Sequence, residues 1–384
     1  MVKNIPPSSS KGTADLYPVL ASESVALQTA AFEITHEHIP AQQEQFSFDK
    51  ALSKEFKTEL PEELLSLILA VPSLNTLAEA NFERTMPPAL RTYLLSWKLI
   101  FDHWTNSSFK VRADYVASLK EGAYLNDLLK LTFDILINAR SKPIDASKFN
   151  IESYTPNTEE SPEKETYWLL IHLYYLSLKY LQTHTRSWWR DCTSRQTLLA
   201  VESWTEKYIS RLIIASELST ISAWAPSQAT ADAPLNVKVS PSAREITASI
   251  PVDEQNMQIA IHLPPTYPLA RATVDSVHRV GVDEKKWRGW LITTQGAINF
   301  SNADSGEGGN LIDGLLAWRK NVSATMKGQT ECAICYSVVG VDGQLPGKRC
   351  GTCKNMFHGS CLYKWFKSSN SSSCPLCRNA FNYA

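Results

Sequence analysis

At 384 residues, 43% hydrophobic and 20% charged, the chain has the composition of globular protein and is too long for one ordinary core, so two or three domains are expected. With 38 Lys and Arg against 39 Asp and Glu, it lacks the basic excess needed to argue nucleic-acid binding from charge alone. The longest apolar stretch, Trp168 to Leu178, is broken by His172 and several tyrosines and falls short of the roughly 20 residues that span a bilayer. Met1 to Ser10 has no apolar segment of the kind a signal peptide needs, so a cytosolic, reducing location with no membrane contact is expected.

From about residue 20 to 224 the apolar residues recur at helical spacing, as in Leu90, Leu94, Trp97, Phe101 and Trp104, in Trp168, Ile171, Tyr175 and Leu178, and in Val201, Trp204, Tyr208 and Leu212. Pro61, Glu62 and Glu63 read as a helix first turn, where proline is tolerated and carboxylates suit the dipole. Such helices, joined by polar breaks, predict antiparallel pairs stacked in a solenoid over residues 1–224, although no strict repeat is visible. One break, Ser141 to Glu165, is rich in Pro, Ser, Asn and Glu and reads as a long mobile loop. Residues 225–234 read as a linker.

The period then changes to two, in Ile246, Ala248, Ile250 and Val252 and again in Met257, Ile259, Ile261 and Leu263, predicting half-buried strands. Trp287 to Ile298 continues the strand-like pattern, Ser305 to Gly309 reads as a flexible loop, and Leu311 to Met326 as a helix. Residues 235–326 are thus expected to form a small α+β domain. Among isolated candidates, Cys192 and His184 lack the third group that would activate a thiol, and His36 and His38 would point apart on a helix. Trp188 and Trp189 with Arg186 and Arg190 read as helix-interface packing rather than a base-stacking surface.

Seven of the eight cysteines lie between Cys332 and Cys377. In a chain with no secretion signal this clustering argues metal rather than disulfides. The string Cys332-x2-Cys335-x14-Cys350-x2-Cys353-x4-His358-x2-Cys361-x12-Cys374-x2-Cys377 supplies eight ligands in four close pairs, enough for two closed tetrahedral structural zinc sites. A closed set has no open position at which to activate water, which disfavours a metallohydrolase.

This string resembles the RING family, in residues 330–384, whose cross-brace would put Cys332, Cys335, His358 and Cys361 on one zinc and Cys350, Cys353, Cys374 and Cys377 on the other. The same ligand order occurs in PHD fingers, which are noncatalytic peptide readers and form the alternative. A PHD finger usually carries a tryptophan two residues before the seventh ligand, where this chain has Ser372, whereas Trp365 stands at the RING position. Ile334, Trp365 and Pro375 resemble the apolar surface that docks a ubiquitin-conjugating enzyme. Arg378 resembles the catalytic linchpin that contacts both that enzyme and its thioester-linked ubiquitin. Lys348, Arg349, Lys354, Lys364 and Lys367 make one RING face basic, for rRNA, for an acidic partner or simply for solvent.

The stretch from Cys350 through Trp365 and Phe366, with Ser371-Ser-Ser-Cys-Pro-Leu-Cys-Arg378, is more specifically similar to the Listerin family of ubiquitin ligases. That resemblance implies a HEAT-like solenoid, an RWD domain and a terminal RING, acting on nascent chains stalled on the split large (60S) ribosomal subunit. It further implies quality-control cofactors on that subunit as partners and a ribosome-associated place in the cytosol. Leu263-Pro-Pro-Thr-Tyr-Pro-Leu269 resembles the proline-tyrosine turn of RWD and ubiquitin-conjugating folds, yet residues 235–326 hold no cysteine and so no thiol nucleophile. Family members are far longer, so the chain reads as a C-terminal portion, and a monomer is expected.

Overall fold

The computed structural model describes residues 13–53, 57–72, 86–138, 142–156, 161–229, 234–300 and 310–381. Among these, one compact unit comprises the residues up to Ile213 together with Pro265–Ala270, and a second comprises the remainder from Ile214 onward. The expected loop Ser305 to Gly309 lies outside the described residues.

The first unit is helical. A 3-10 segment, Thr13–Ala21, leads into α1 (Val25–Leu52) and α2 (Glu62–Leu69), the latter opening after Pro61 with Glu62 and Glu63 in its first turn. Helix α3 (Pro88–Asp102) is the centre: every residue from Leu90 to Asp102 is buried, and it packs against α1, α2 and α6 (Pro162–Tyr180). Its buried Arg91 is compensated by Glu165 Oε1 at 3.1 Å, Gln28 Oε1 at 3.2 Å and Thr29 Oγ1 at 2.9 Å, as a charge withdrawn from water requires. Helices α4 (Phe109–Glu121), α5 (Leu125–Phe133), α7 (Gln182–Asp191) and α8 (Arg195–Thr205) complete the unit, and α9 (Arg211–Ala229) carries the chain onward.

Three sequence expectations are corrected here. Residues 142–156 are not a loose loop: Ile151 and Tyr154 are buried, the Tyr154 hydroxyl donates to Glu165 Oε1 at 2.7 Å, and Trp168 Nε1 donates to the Asn150 carbonyl at 2.7 Å. Two apolar anchors in a polar stretch suffice to pin it. The spacing Val201, Trp204, Tyr208, Leu212 also fails beyond its second member, because a π turn at Glu206–Ser210 inserts one extra residue and moves the buried face to Ile209 and Ile213. Finally, residues 225–229 of the expected linker continue α9, and Gln228 there is held by the Leu235 amide at 3.1 Å and by Arg319 at 2.6 Å.

The second unit begins with an antiparallel meander, β1 (Asn236–Ser240), β2 (Glu245–Val252), β3 (Gln255–His262) and β4 (Thr273–His278), in sequential order. The register sets Ile246 opposite Ile261, Ala248 opposite Ile259 and Ile250 opposite Met257, so both period-two runs turn the same face to the core. Against the sheet lie α10 (Glu284–Phe300) and α11 (Asn310–Met326). The strand expected at Trp287 to Ile298 is therefore a helix. Of its buried residues, Trp287, Trp290, Thr294 and Ile298 follow three-and-four spacing with Asn299 beside the last, and the β-branched run Ile292–Thr294 gave it a strand-like composition. Strand β4 escaped notice because only Val274 along it is buried.

The cysteine-rich segment forms a two-stranded ribbon, β5 (Lys348–Arg349) and β6 (Met356–Phe357), and one helix, α12 (Gly359–Ser369). Its small core joins Phe357, Leu362 and Phe381 to Cys332, Cys350 and Cys374. The segment is bonded to the α+β domain. The Val339 amide donates to Asp253 Oδ2 at 2.7 Å, Gln255 Nε2 to the Gly340 carbonyl at 2.7 Å, and the Gly281 amide to the Gly343 carbonyl at 2.8 Å. Gly281 has φ +65°, a left-handed conformation that favours glycine, and a Cβ there would also press on the Leu345 side chain at 3.1 Å.

Candidate metal centres and their exposed face

Three Cys-x-x-Cys pairs fold into the same knuckle. In each, the amide of the residue after the second cysteine donates to the carbonyl of the first: Tyr336 to Cys332 at 2.8 Å, Lys354 to Cys350 at 3.0 Å, Arg378 to Cys374 at 3.0 Å. Tyr336, Lys354 and Arg378 all take left-handed φ, at 59°, 64° and 57°. That turn aims both sulfurs of a pair at one point. The fourth pair, His358 and Cys361, opens α12.

The pairs interleave into two groups, Cys332 with Cys335, His358 and Cys361, and Cys350 with Cys353, Cys374 and Cys377; in each, the candidate donor atoms lie within 4.8 Å of one another. Cys350 and Cys377 sulfurs stand 3.7 Å apart, as do those of Cys353 and Cys374. A tetrahedral zinc about 2.3 Å from each sulfur would set that edge at about 3.8 Å, so the cage fits the ion. His358 turns Nδ1 to the sulfurs of Cys335 at 3.4 Å and Cys361 at 3.8 Å, and Nε2 to the Val338 carbonyl at 3.3 Å. A carbonyl only accepts, so Nε2 carries the proton and Nδ1 is free to ligate.

The electrostatics also ask for a cation. Burial, then the Cys335 and Cys332 sulfurs, push the Cys361 thiol up to about 12, while the Cys353 amide draws Cys350 down to about 6. Three or four thiols this close cannot all ionise without a positive ion between them. The residues present could hold two zinc ions, each in a closed four-donor set.

On the surface around these centres, Ile334 and Pro375 are half-buried, each between the cysteines of its own knuckle. Trp365 is half-buried on α12, where its Nε1 donates to the Ser373 carbonyl at 3.1 Å, bringing the indole to the last knuckle. Arg378 is exposed, as are Lys348, Arg349, Lys354, Lys364 and Lys367. Large apolar side chains absent from the sequence expectation are also exposed on this segment, among them Tyr336 at 74% and Leu376 at 48%, each in or beside a knuckle. Leu376 was legible in principle as an apolar residue inside a knuckle.

The isolated candidates make local contacts, and Arg190 is exposed. Trp188 stacks on Phe133, Trp189 donates to the Leu198 carbonyl, and Arg186 is buried with its Nε on the Pro268 carbonyl at 2.9 Å. His36 pairs with Asp102 at 2.8 Å, and burial raises the Cys192 thiol, which donates to the Trp188 carbonyl.

A helical region, an α+β domain and a two-metal cross-brace, in this order, define a multidomain RING-finger protein. Family models agree: a LTN1 family HEAT repeat region matches residues 6–222, a ubiquitin conjugating domain-like model residues 235–325, and a RING finger domain residues 330–378. The chain belongs to the LTN1, or listerin, family. It is 42% identical over 382 residues to a Neurospora crassa protein named E3 ubiquitin-protein ligase listerin, covering 96% of this chain and 23% of that protein. Proteins of the same name from Schizosaccharomyces pombe and Saccharomyces cerevisiae are 38% and 35% identical, over 84% and 75% of this chain and 20% and 18% of their own. The chain therefore spans about a fifth of the length of these relatives.

Proposed function

We propose that the chain promotes transfer of ubiquitin from a conjugating enzyme, docked on its RING, to lysines of nascent chains stalled on the large ribosomal subunit. The carrying observation is a pair of closed metal-site geometries beside a partly exposed apolar face, with no activated cysteine outside the two clusters. The UBC-like residues 235–326 contain no cysteine, and Cys192 outside the two clusters has a raised thiol pKa. A covalent ubiquitin intermediate on this chain is disfavoured for that reason. Catalysis is then positional: the thioester carbonyl is held where a substrate lysine amine attacks, an isopeptide bond forms, and the conjugating enzyme's thiolate leaves.

In this reading Cys332, Cys335, His358 and Cys361, and Cys350, Cys353, Cys374 and Cys377, hold two structural zincs. Half-buried Ile334, Trp365 and Pro375, with exposed Leu376, receive the conjugating enzyme, as apolar anchors on a small module suit. Arg378 contacts enzyme and ubiquitin together through its fork of donors. The RWD-type domain docks rather than reacts. The ribosomal substrate, the cofactors on the split subunit and the cytosolic setting are carried over from the family. A PHD-like peptide reader has less support, because exposed Ser372 stands where its tryptophan would be.

The test is ubiquitin discharge from a loaded conjugating enzyme onto free lysine, comparing wild type with Trp365→Glu and Arg378→Ala after measuring zinc in each. Acceleration by wild type and loss in both variants supports the reading. A folded, zinc-loaded chain that accelerates nothing across a panel of conjugating enzymes overturns it.

A further inference from the structure

The turn joining β2 to β3 reaches the first metal centre through a short chain of contacts. Asp253 Oδ2 accepts from the Val339 amide and Gln255 Nε2 donates to the Gly340 carbonyl, each at 2.7 Å. Val339 and Gly340 are buried, and the preceding carbonyl, that of Val338, accepts from His358 Nε2 at 3.3 Å. Gly340 also lies flat against the imidazole, since a Cβ there would come within 3.1 Å of His358 Cγ and Cδ2. His358 is thus oriented by a backbone stretch that the neighbouring domain grips from its other side. The all-cysteine centre has no such contact among the described hydrogen bonds.

We propose that Asp253 and Gln255 are positioning residues for the Cys332–Cys335–His358–Cys361 zinc site, so that the UBC-like domain holds that site, and with it the docking face bearing Ile334, in its working geometry. This rests on the two-zinc reading above. Groups that orient a ligating histidine commonly change metal affinity by about 10- to 100-fold when removed. Here the orienting group is a carbonyl whose flanking peptide units are fixed from another domain, so the effect falls on one site alone.

Asp253 has φ 54°, which glycine and asparagine tolerate. Asp253→Gly therefore deletes the acceptor without backbone strain, and Asp253→Asn retains an acceptor oxygen. Wild type, D253G, D253N and the D253G/Q255A double variant of the full chain are compared for chelator-driven zinc release, and after cobalt substitution for the spectra of the three-sulfur, one-nitrogen site against the four-sulfur site. The expected result is two zincs in each protein, about tenfold faster release of one of them in D253G and the double variant, near wild-type release in D253N, and an altered spectrum only for the nitrogen-containing site. Release of both ions at wild-type rates, equal acceleration of both, or D253N behaving as D253G overturns the proposal. A wild-type chain that binds no zinc overturns the two-zinc reading instead.

Discussion

His172 lies inside α6, 2% exposed, with Nδ1–H donated to the Ile151 carbonyl at 2.9 Å. Burial, against that hydrogen bond, lowers its pKa from 6.5 to about 4. Well above pH 6.5 both folded and unfolded chains hold the ring neutral, and the site adds no pH dependence. As pH falls through 6.5 the unfolded chain binds a proton that the fold refuses, so stability is lost until the folded site also protonates near pH 4. The fall from 6.5 to about 4, at about 1.4 kcal/mol per tenfold change in proton affinity, bounds the loss at about 3 to 4 kcal/mol, of which about 2 to 3 is realised by pH 4.5. His172→Asn keeps a donor for Ile151 and removes the titration. Urea unfolding of both proteins at pH 7.5 and 4.5 gives a double difference in which acid loss of zinc and the other titrating groups cancel. The variant is expected to be weaker at pH 7.5, from the smaller side chain, yet to lose about 2 kcal/mol less on acidification. A double difference under about 1 kcal/mol would refute the buried-neutral account.

Trp365→Phe keeps an apolar ring but loses the donor to Ser373. Discharge should fall about fivefold, as one hydrogen bond of about 1 kcal/mol predicts, against 30-fold or more for Trp365→Ala, where a docking anchor is removed. Chelation of zinc should abolish the tertiary signals of Phe357, Phe366 and Phe381, which pack on the cysteine core, while leaving the far-ultraviolet helical signal nearly intact. Trp318→Ala, at a fully buried site of α11 beside Trp287, should destabilise the UBC-like domain by about 3 to 5 kcal/mol in urea unfolding. Cys192→Ser should leave both discharge and zinc content unchanged, since its thiol bonds to the Trp188 carbonyl and belongs to neither metal cluster.

What could be read from sequence follows the range of the constraint. Metal knuckles are local, needing two sulfurs three positions apart and a left-handed residue after them, so the eight cage residues and their grouping follow from spacing and resemblance. Strands β2 and β3 were legible because each buries every second residue. Helix α10 was not, since its buried positions from Trp287 to Ile298 are separated by polar and β-branched residues that imitate alternation. The order in residues 142–156 rests on side-chain partners 11 and 18 positions away and the last turn of α9 at Gln228 on one 91 positions away, contacts that apolar periodicity does not report. The roles of Asp253 and Gln255 were hidden for the same reason, their contacts lying 86 and 85 positions away.

The same local geometry ties the proposed linchpin to its metal. Arg378 is left-handed at φ 57° because it closes the last knuckle, its amide on the Cys374 carbonyl at 3.0 Å. The Cys374 amide in turn donates to the Asn379 carbonyl at 2.8 Å. The exposed guanidinium is therefore carried on backbone fixed at both ends by a residue that holds the second ion. Loss of that ion frees the knuckle and with it the direction of the side chain. Trp365, bonded to Ser373 directly before Cys374, loses its anchor in the same event. Disruption of the Cys350–Cys353–Cys374–Cys377 site should accordingly abolish discharge even where the conjugating enzyme still meets Ile334, whereas loosening of the His358 site should weaken docking first. Discharge measured against conjugating-enzyme concentration separates the two, the former lowering the rate at saturation as well as raising the concentration needed to reach it, and the latter raising that concentration alone. An unchanged rate at saturation after disruption of the second site would show that Arg378 does not depend on it for its placement.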